Sequence, residues 1–148
     1  TYNNEYLYVC LAPEENPFKE KYSLIRFDIK VIPNMGYEGC TPGYWKNHLS
    51  DWAAAGYAFT MSFNSVFGVS SFPATYTLGD AIRAQGGGLN VIARHGTAAL
   101  LSAAHPEVNY PFSEAEVISM VQAAIISNGN INSLIEANEL GCYIPKRK

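Results

Sequence analysis

The chemistry-bearing side chains come first: His48, His95 and His105 are the only histidines among 148 residues. On one helix, His95 and His105 would stand about 280° apart, so they share no face. The i, i+4 histidine pair of an HExxH zinc site is absent. His48 with Cys40 and Cys142 could compose a ligand set, but cysteines placed at the two ends of a helical segment favour a disulfide. No metal and no cofactor are expected. His95 reads as an interior or interhelical histidine, and His105 as a helix-end residue facing the dipole. For nucleophilic catalysis there is no G-x-S-x-G elbow, and the serines lack a local base. Asp51, Asp80, Glu107, Glu114 and Glu116 could pair in three dimensions. Glu114 and Glu116, however, fall in a capping position and first turn, where negative charge is explained by the helix itself. Gly86-Gly87-Gly88 follows a helical pattern and precedes no Lys-Ser or Lys-Thr, so it reads as a helix–helix turn and not a phosphate cradle. No enzymatic activity is expected.

The densest cluster is Tyr44-Trp45-Lys46-Asn47-His48. Exposed aromatics beside amide and imidazole groups could stack on a sugar and bond its hydroxyls, which makes these five residues a candidate ligand-contact cluster. Against this, Trp45, Leu49 and Trp52 recur at i, i+4 and i+7, the spacing of a buried helix face. The core reading is favoured, with Lys46 and Asn47 on the outer face. The chain holds 10 Tyr, 7 Phe and 2 Trp, rings that suit either half-wet contact surfaces or a core otherwise rich in Ala and Gly.

These residues must be positioned by elements of two kinds. Residues 1–33 read as strand. Tyr6, Tyr8 and Cys10 alternate with Leu7, Val9 and Leu11, apolar on both faces. Ile25, Phe27, Ile29 and Val31 line one side of a second run whose other side is Arg26, Asp28 and Lys30. Two strands alone are marginal in water and leave both edges unpaired. They must pack on the helical part or pair with another chain, and strand complementation between subunits is a known route to assembly. Tyr6, Tyr8, Val9, Ile25, Phe27, Ile29 and Val31 are the candidate assembly-strand residues.

From residue 41 the signals are helical. Thr41-Pro42 offers an N-cap and a first-turn proline for a helix reaching about Ala55, stopped by Gly56. Ser62 to Gly68 reads as one short turn. Thr77 and Asp80 resemble a capping box with Asp for Glu, before a helix ending at the triple glycine. Leu89, Ile92, Gly96, Ala99, Leu100 and Ala103 recur at helical spacing, and their small residues permit close approach of a neighbour. Ser113 and Glu116 form a capping box before Val117, Val121 and Ala124. A last short helix carries Ile131, Leu134 and Ile135 and closes at Gly141. The expected architecture is α+β: an N-terminal β-hairpin segment, 1–38, then a compact domain of about five helices, 39–148, ending in a short basic tail.

Cys40 precedes the first helix and Cys142 follows the last. A bridge between them would clamp the domain, and closing a loop of that length stabilises by about 4–5 kcal/mol in the chain-entropy model. Two free buried thiols are the alternative. Cys10 is a free thiol or an intermolecular partner, and its pairing with Cys40 or Cys142 stays open.

Residues 39–48, Gly-Cys-Thr-Pro-Gly-Tyr-Trp-Lys-Asn-His, resemble the GCTPGYWKNH signature of a domain found in secreted and surface proteins of bacteria and archaea. Residues 63–69, 98–106, 108–111, 121–124 and 137–142 extend the resemblance over about 39–142. It implies an extracellular module with no assigned activity, secretion, and a role for the Cys40 and Cys142 pair. It leaves residues 1–33 untouched.

Composition bounds the rest. At 16.2 kDa, 48% apolar and 16% charged, the chain suits one domain plus an appendage and is no disordered polymer. A net charge of −3 with basic residues clustered only at Lys146, Arg147 and Lys148 argues against nucleic acid. No apolar run is long enough to span a membrane. A start at Thr1 without Met or a visible signal peptide is what a mature or excised segment would show, and no N-x-Ser/Thr sequon is present. The expected function is an extracellular or cell-surface structural protein, a subunit that self-assembles into a filament through its N-terminal strands, with itself as partner. The alternative is a secreted monomeric module that binds surface glycan or another surface protein.

Overall fold

The computed structural model describes residues 36–127 and 129–146. The expected α+β class is corrected: among the described residues there are seven α-helices and one 3₁₀ turn, and no strand. Pairing is confined to two isolated antiparallel bridges, Gly39 with Gly141 and Ser62 with Thr77. The hairpin expected over 1–33, its assembly-strand residues and Cys10 lie outside the described residues.

The long helix α5, Leu89–Ala104, is the centre of this unit. Ile92, Ala93 and every residue from Gly96 to Ser102 are buried along it, so it is covered on nearly all sides. It packs against α6 (Glu114–Ser127), α4 (Leu78–Ile82), α7 (Asn132–Asn138) and α1 (Pro42–Lys46), and more lightly against α2 (Trp52–Ala55). The short α3, Phe63–Phe67, leans on α6. Small residues make this crowding feasible. A Cβ built on Gly96 would stand 2.8 Å from Val121 Cγ2, so the α5–α6 approach leaves no room for a methyl there.

The caps form where the sequence places them. Thr41 Oγ1 accepts from Tyr44 N, and Pro42 sits at the first position. Thr77 and Asp80 satisfy each other's backbone amides, as do Ser113 and Glu116. Gly56 ends α2 in the left-handed region, with φ 85°, a conformation that favours glycine.

The helix expected from 41 to 55 is broken. After Lys46 the chain departs at Asn47 and His48, makes a 3₁₀ turn over Leu49–Asp51, and resumes as α2. The carbonyls explain the break. Trp52 Nε1 donates to Trp45 O at 2.9 Å, and His48 Nδ1 donates to Tyr44 O at 2.7 Å. A continuous helix would have kept both oxygens for the amides four residues on. In exchange, both indoles are sealed inside, Trp45 at 0% and Trp52 at 1% exposure. α4 also stops early, at Ile82, and the expected extension to the triple glycine is a turn held by Arg94, whose Nη1 donates to Ala84 O and Gly86 O.

Cys40 and Cys142 are bonded, 102 positions apart. Around them the two ends of the unit meet, with Gly39 N donating to Gly141 O at 3.1 Å, and Glu38 N also donates to Asn109 O of the loop after α5 at 2.8 Å. A Cβ on Gly39 would lie 1.9 Å from Ala137 O, a backbone atom that cannot swing aside. Gly39→Ala should therefore cost about 1–3 kcal/mol or more, read as a lowered urea midpoint with an unchanged slope. Replacing both Cys40 and Cys142 with Ser should remove roughly 2–5 kcal/mol, and the same denaturation experiment on the pair of variants checks it.

Candidate functional site

The opening helix α1 has a recess on each side. A short helix rotates about 100° per residue, so Tyr44 emerges on one face, with His48 stacked on it from just beyond the helix, while Pro42, Gly43 and Lys46 turn to the other.

On the first face lies a groove of about 500 Å³. Tyr44 and His48, with Ser50 and Asp51 of the 3₁₀ turn and Ala54 of α2, line one side; Cys142, Ile144, Pro145 and Lys146 line the other, and His105 completes the lining. The Tyr44 ring stacks on His48 with centroids 4.0 Å apart and planes 9° from parallel, and meets Trp45 edge-on. Its Oη donates a very short hydrogen bond to Asp51 Oδ2. Burial first, then the bond to Asp51 and its charge, holds the Tyr44 phenol well above its ordinary value, so it stays a donor. The result is a fixed unit: one aromatic pair, one carboxylate with an oxygen to spare, and the Ser50 hydroxyl. His105 is buried, and its Nδ1 accepts from Glu107 N at 3.1 Å. That bond makes Nδ1 an acceptor and places the ring proton on Nε2, and His105 stands at the end of α5, where the sequence put it.

On the opposite face is a smaller recess of about 240 Å³, bounded by α1 from Thr41 to Lys46, by Ile82 and Gln85, by Arg94 and His95 of α5, and by Glu139.

The five residues of the expected ligand-contact cluster are thus divided. Trp45 is wholly buried and its Nε1 donates to Ser102 Oγ at 3.2 Å, which removes it from any contact surface. Lys46, Asn47 and His48 are exposed, Tyr44 is half-buried, and Asn47 Nδ2 is engaged by Gly43 O. Lys46 faces the small recess while Tyr44 and His48 face the groove. Ser50 and Ile144 were not singled out in the sequence, and Lys146 only as part of a basic tail, because the segment after Cys142 is brought beside α1 by the disulfide and the Gly39–Gly141 bridge, contacts between residues 102 positions apart. The Tyr44–Asp51 spacing of seven was the one available signal.

Four of the five carboxylates raised for a catalytic pair are dispersed in structural work. Asp51 holds Tyr44, Asp80 and Glu116 close capping boxes, and Glu114 Oε1 accepts from Tyr57 Oη at 2.7 Å. Burial, then that bond and the Glu114 charge, pushes the Tyr57 phenol up to about 12. Among the described residues no group of three His, Cys, Asp or Glu side chains is placed to hold a metal ion, and no helix is long and apolar enough to cross a membrane.

A family model described as Protodermal factor 1 C-terminal domain matches residues 40–138, more than half of the chain, and the chain belongs to that family. The match runs from the first half of the disulfide to the end of α7, and it bears on neither a prokaryotic origin nor the GCTPGYWKNH signature. No curated protein and no solved structure matches.

Within the matched span, His95 ties α5 to α7. Tyr110 Oη donates to Asn138 Oδ1 at 2.8 Å, which aims Asn138 Nδ2 at His95 O (3.1 Å) and His95 Nδ1 (3.3 Å). The imidazole is thereby an acceptor, hence neutral. Burial first, then Arg94, lowers its pKa below 6.5, with Glu139 opposing. A group buried neutral supports the fold above its unfolded pKa and loses that support as pH falls through the lowered folded value. Histidine resonances followed by NMR should show His95 titrating below the ordinary imidazole value of about 6.5. Unfolding free energy should be level from pH 8 to 6.5 and decline below it, and His95→Gln should flatten that decline.

Proposed function

We propose that this member of the protodermal factor 1 C-terminal domain family is a non-enzymatic recognition module of the extracellular space that binds glycan through the groove beside Tyr44 and His48. The carrying observation is the groove's lining. The Tyr44–His48 pair offers an apolar ring face, while Asp51, Ser50 and Lys146 supply acceptors and donors around it. A pyranose has the same division, with apolar C–H faces and a rim of hydroxyls. The groove's volume falls in the usual range for small-molecule sites, about 300–1,000 Å³. Its walls are pre-set by the core, the 3₁₀ turn and the disulfide, which limits the ordering cost of binding. An intact Cys40–Cys142 bridge supports an oxidising compartment.

Self-assembly into a filament was the first expectation from sequence, and the segment on which it rested lies outside the described residues. The glycan reading draws on residues whose geometry is in hand.

The test is an oligosaccharide array with the full chain, followed by affinity measurement on the best ligand. The His48→Ala/Asp51→Asn double variant should bind about tenfold more weakly or worse, a loss of about 1.4 kcal/mol, with an unchanged circular dichroism spectrum. Absence of binding across the array, or equal binding by the variant, overturns the reading. Sedimentation velocity on the same samples checks the other expectation: polymers that grow with concentration, without glycan binding, would return the argument to assembly.

A further inference from the structure

We infer that the smaller recess on the far face of α1 takes the carboxylate of an acidic sugar, so that the recognised glycan is a uronate-bearing chain lying across α1. This rests on the glycan reading above and narrows its ligand class.

The charge arrangement carries the inference. Lys46 and Arg94 both line the recess, and Glu139 is the one carboxylate there. Among the described residues neither cation makes an ion pair. His95 is held neutral by burial and by Arg94. The recess therefore keeps one uncompensated positive charge, on a chain whose net charge is −3. Arg94 is also pre-positioned. Its Nη1 donates to Ala84 O at 2.8 Å and Gly86 O at 3.2 Å, which fixes the guanidinium and leaves Nε and Nη2 with no acceptor among the described residues. A half-buried guanidinium so fixed has lost its rotamer entropy before a ligand arrives, and its planar fork matches a carboxylate.

A monoanion suits the site better than a dianion. Glu139 on the rim repels a second negative charge, so phosphate gains less here than carboxylate does. The volume of about 240 Å³ accommodates a carboxylate and the ring that bears it. Lys46 and Tyr44 leave opposite faces of the same five-residue helix, with His48 stacked on Tyr44 just beyond it, so one oligosaccharide crossing α1 engages both recesses.

The experiment is an amide and arginine-Nε NMR titration of the full chain with an oligoglucuronate, a neutral oligoglucose of equal length, and inorganic phosphate. The acidic oligomer should bind at least about tenfold tighter than the neutral one, move the signals of Gly43, Lys46, Gln85 and Arg94 Nε, and weaken with added salt. Lys46 is exposed and bonded to no side chain, so Lys46→Glu should fold normally; it should bring the acidic-to-neutral affinity ratio down to about one. Equal binding of acidic and neutral oligomers, an unaltered preference in Lys46→Glu, or displacement of the acidic oligomer by equimolar phosphate overturns this inference. Shifts confined to Tyr44, His48 and Asp51 would do the same and leave the glycan reading intact. Failure of both oligomers to bind would overturn both.

Discussion

The structure depends on one buried hydroxyl. Ser102 Oγ accepts from Cys40 N at 3.1 Å and from Trp45 Nε1 at 3.2 Å, and lies 3.4 Å from Cys40 O, to which it donates. A hydroxyl has one proton to give and two lone pairs to offer, and here all three are used. The central helix α5 thus holds the residue that begins the disulfide and the largest ring of α1 through a single atom. With Ser102 fully buried, loss of that atom would leave two donors without partners in a dry interior, where an unmade bond costs about 1–3 kcal/mol each. The position of α1, and hence both of its recesses, follows from this knot.

A second polar network performs the same task at the other end of α1's neighbourhood. Asn138 is fully buried, joins α7 to the loop at Tyr110, and reaches back to α5 at His95. Alanines and glycines let these helices close to near contact, but small residues pack without much directional preference. The hydrogen-bonded Ser102 and Asn138 supply the register that the alanines do not.

Local signals were legible in the sequence wherever a short-range interaction decided the outcome. Thr41, Thr77 with Asp80, and Ser113 with Glu116 cap helices because each bond spans three residues. Trp45 and Trp52 are buried as their spacing suggested, although on two separate helices and not on one continuous face, and the placement of the two cysteines outside the first and last helix pointed to the bridge. What escaped was set by contacts distant in sequence or in competition with the helix. The break at Asn47–His48 comes from the Trp52 indole and the His48 ring taking carbonyls that a regular helix would use, and propensity does not register such competition. Ser102 sits 62 positions from Cys40 and looked like one more small residue on an alanine-rich face. The groove was hidden because its second wall reaches α1 through the disulfide and the Gly39–Gly141 bridge, both contacts between residues far apart in sequence. The α+β class failed for a different reason: alternation in residues 1–33 was extended to the class of the whole chain, whereas the described residues form helices joined by two isolated bridges.

The disulfide has a mechanical corollary. The chain enters the helical unit at Cys40 and leaves it at Cys142, and the two Cα atoms are 4.7 Å apart. The residues between them are a covalent ring hung from one point. Tension applied along the polypeptide passes from sulfur to sulfur and never reaches α1 through α7. The helices hang as a pendant from that link: stretching the chain spares the small recess, whose lining lies wholly inside the ring, and pulls directly on the groove, whose second wall includes Ile144, Pro145 and Lys146 beyond Cys142.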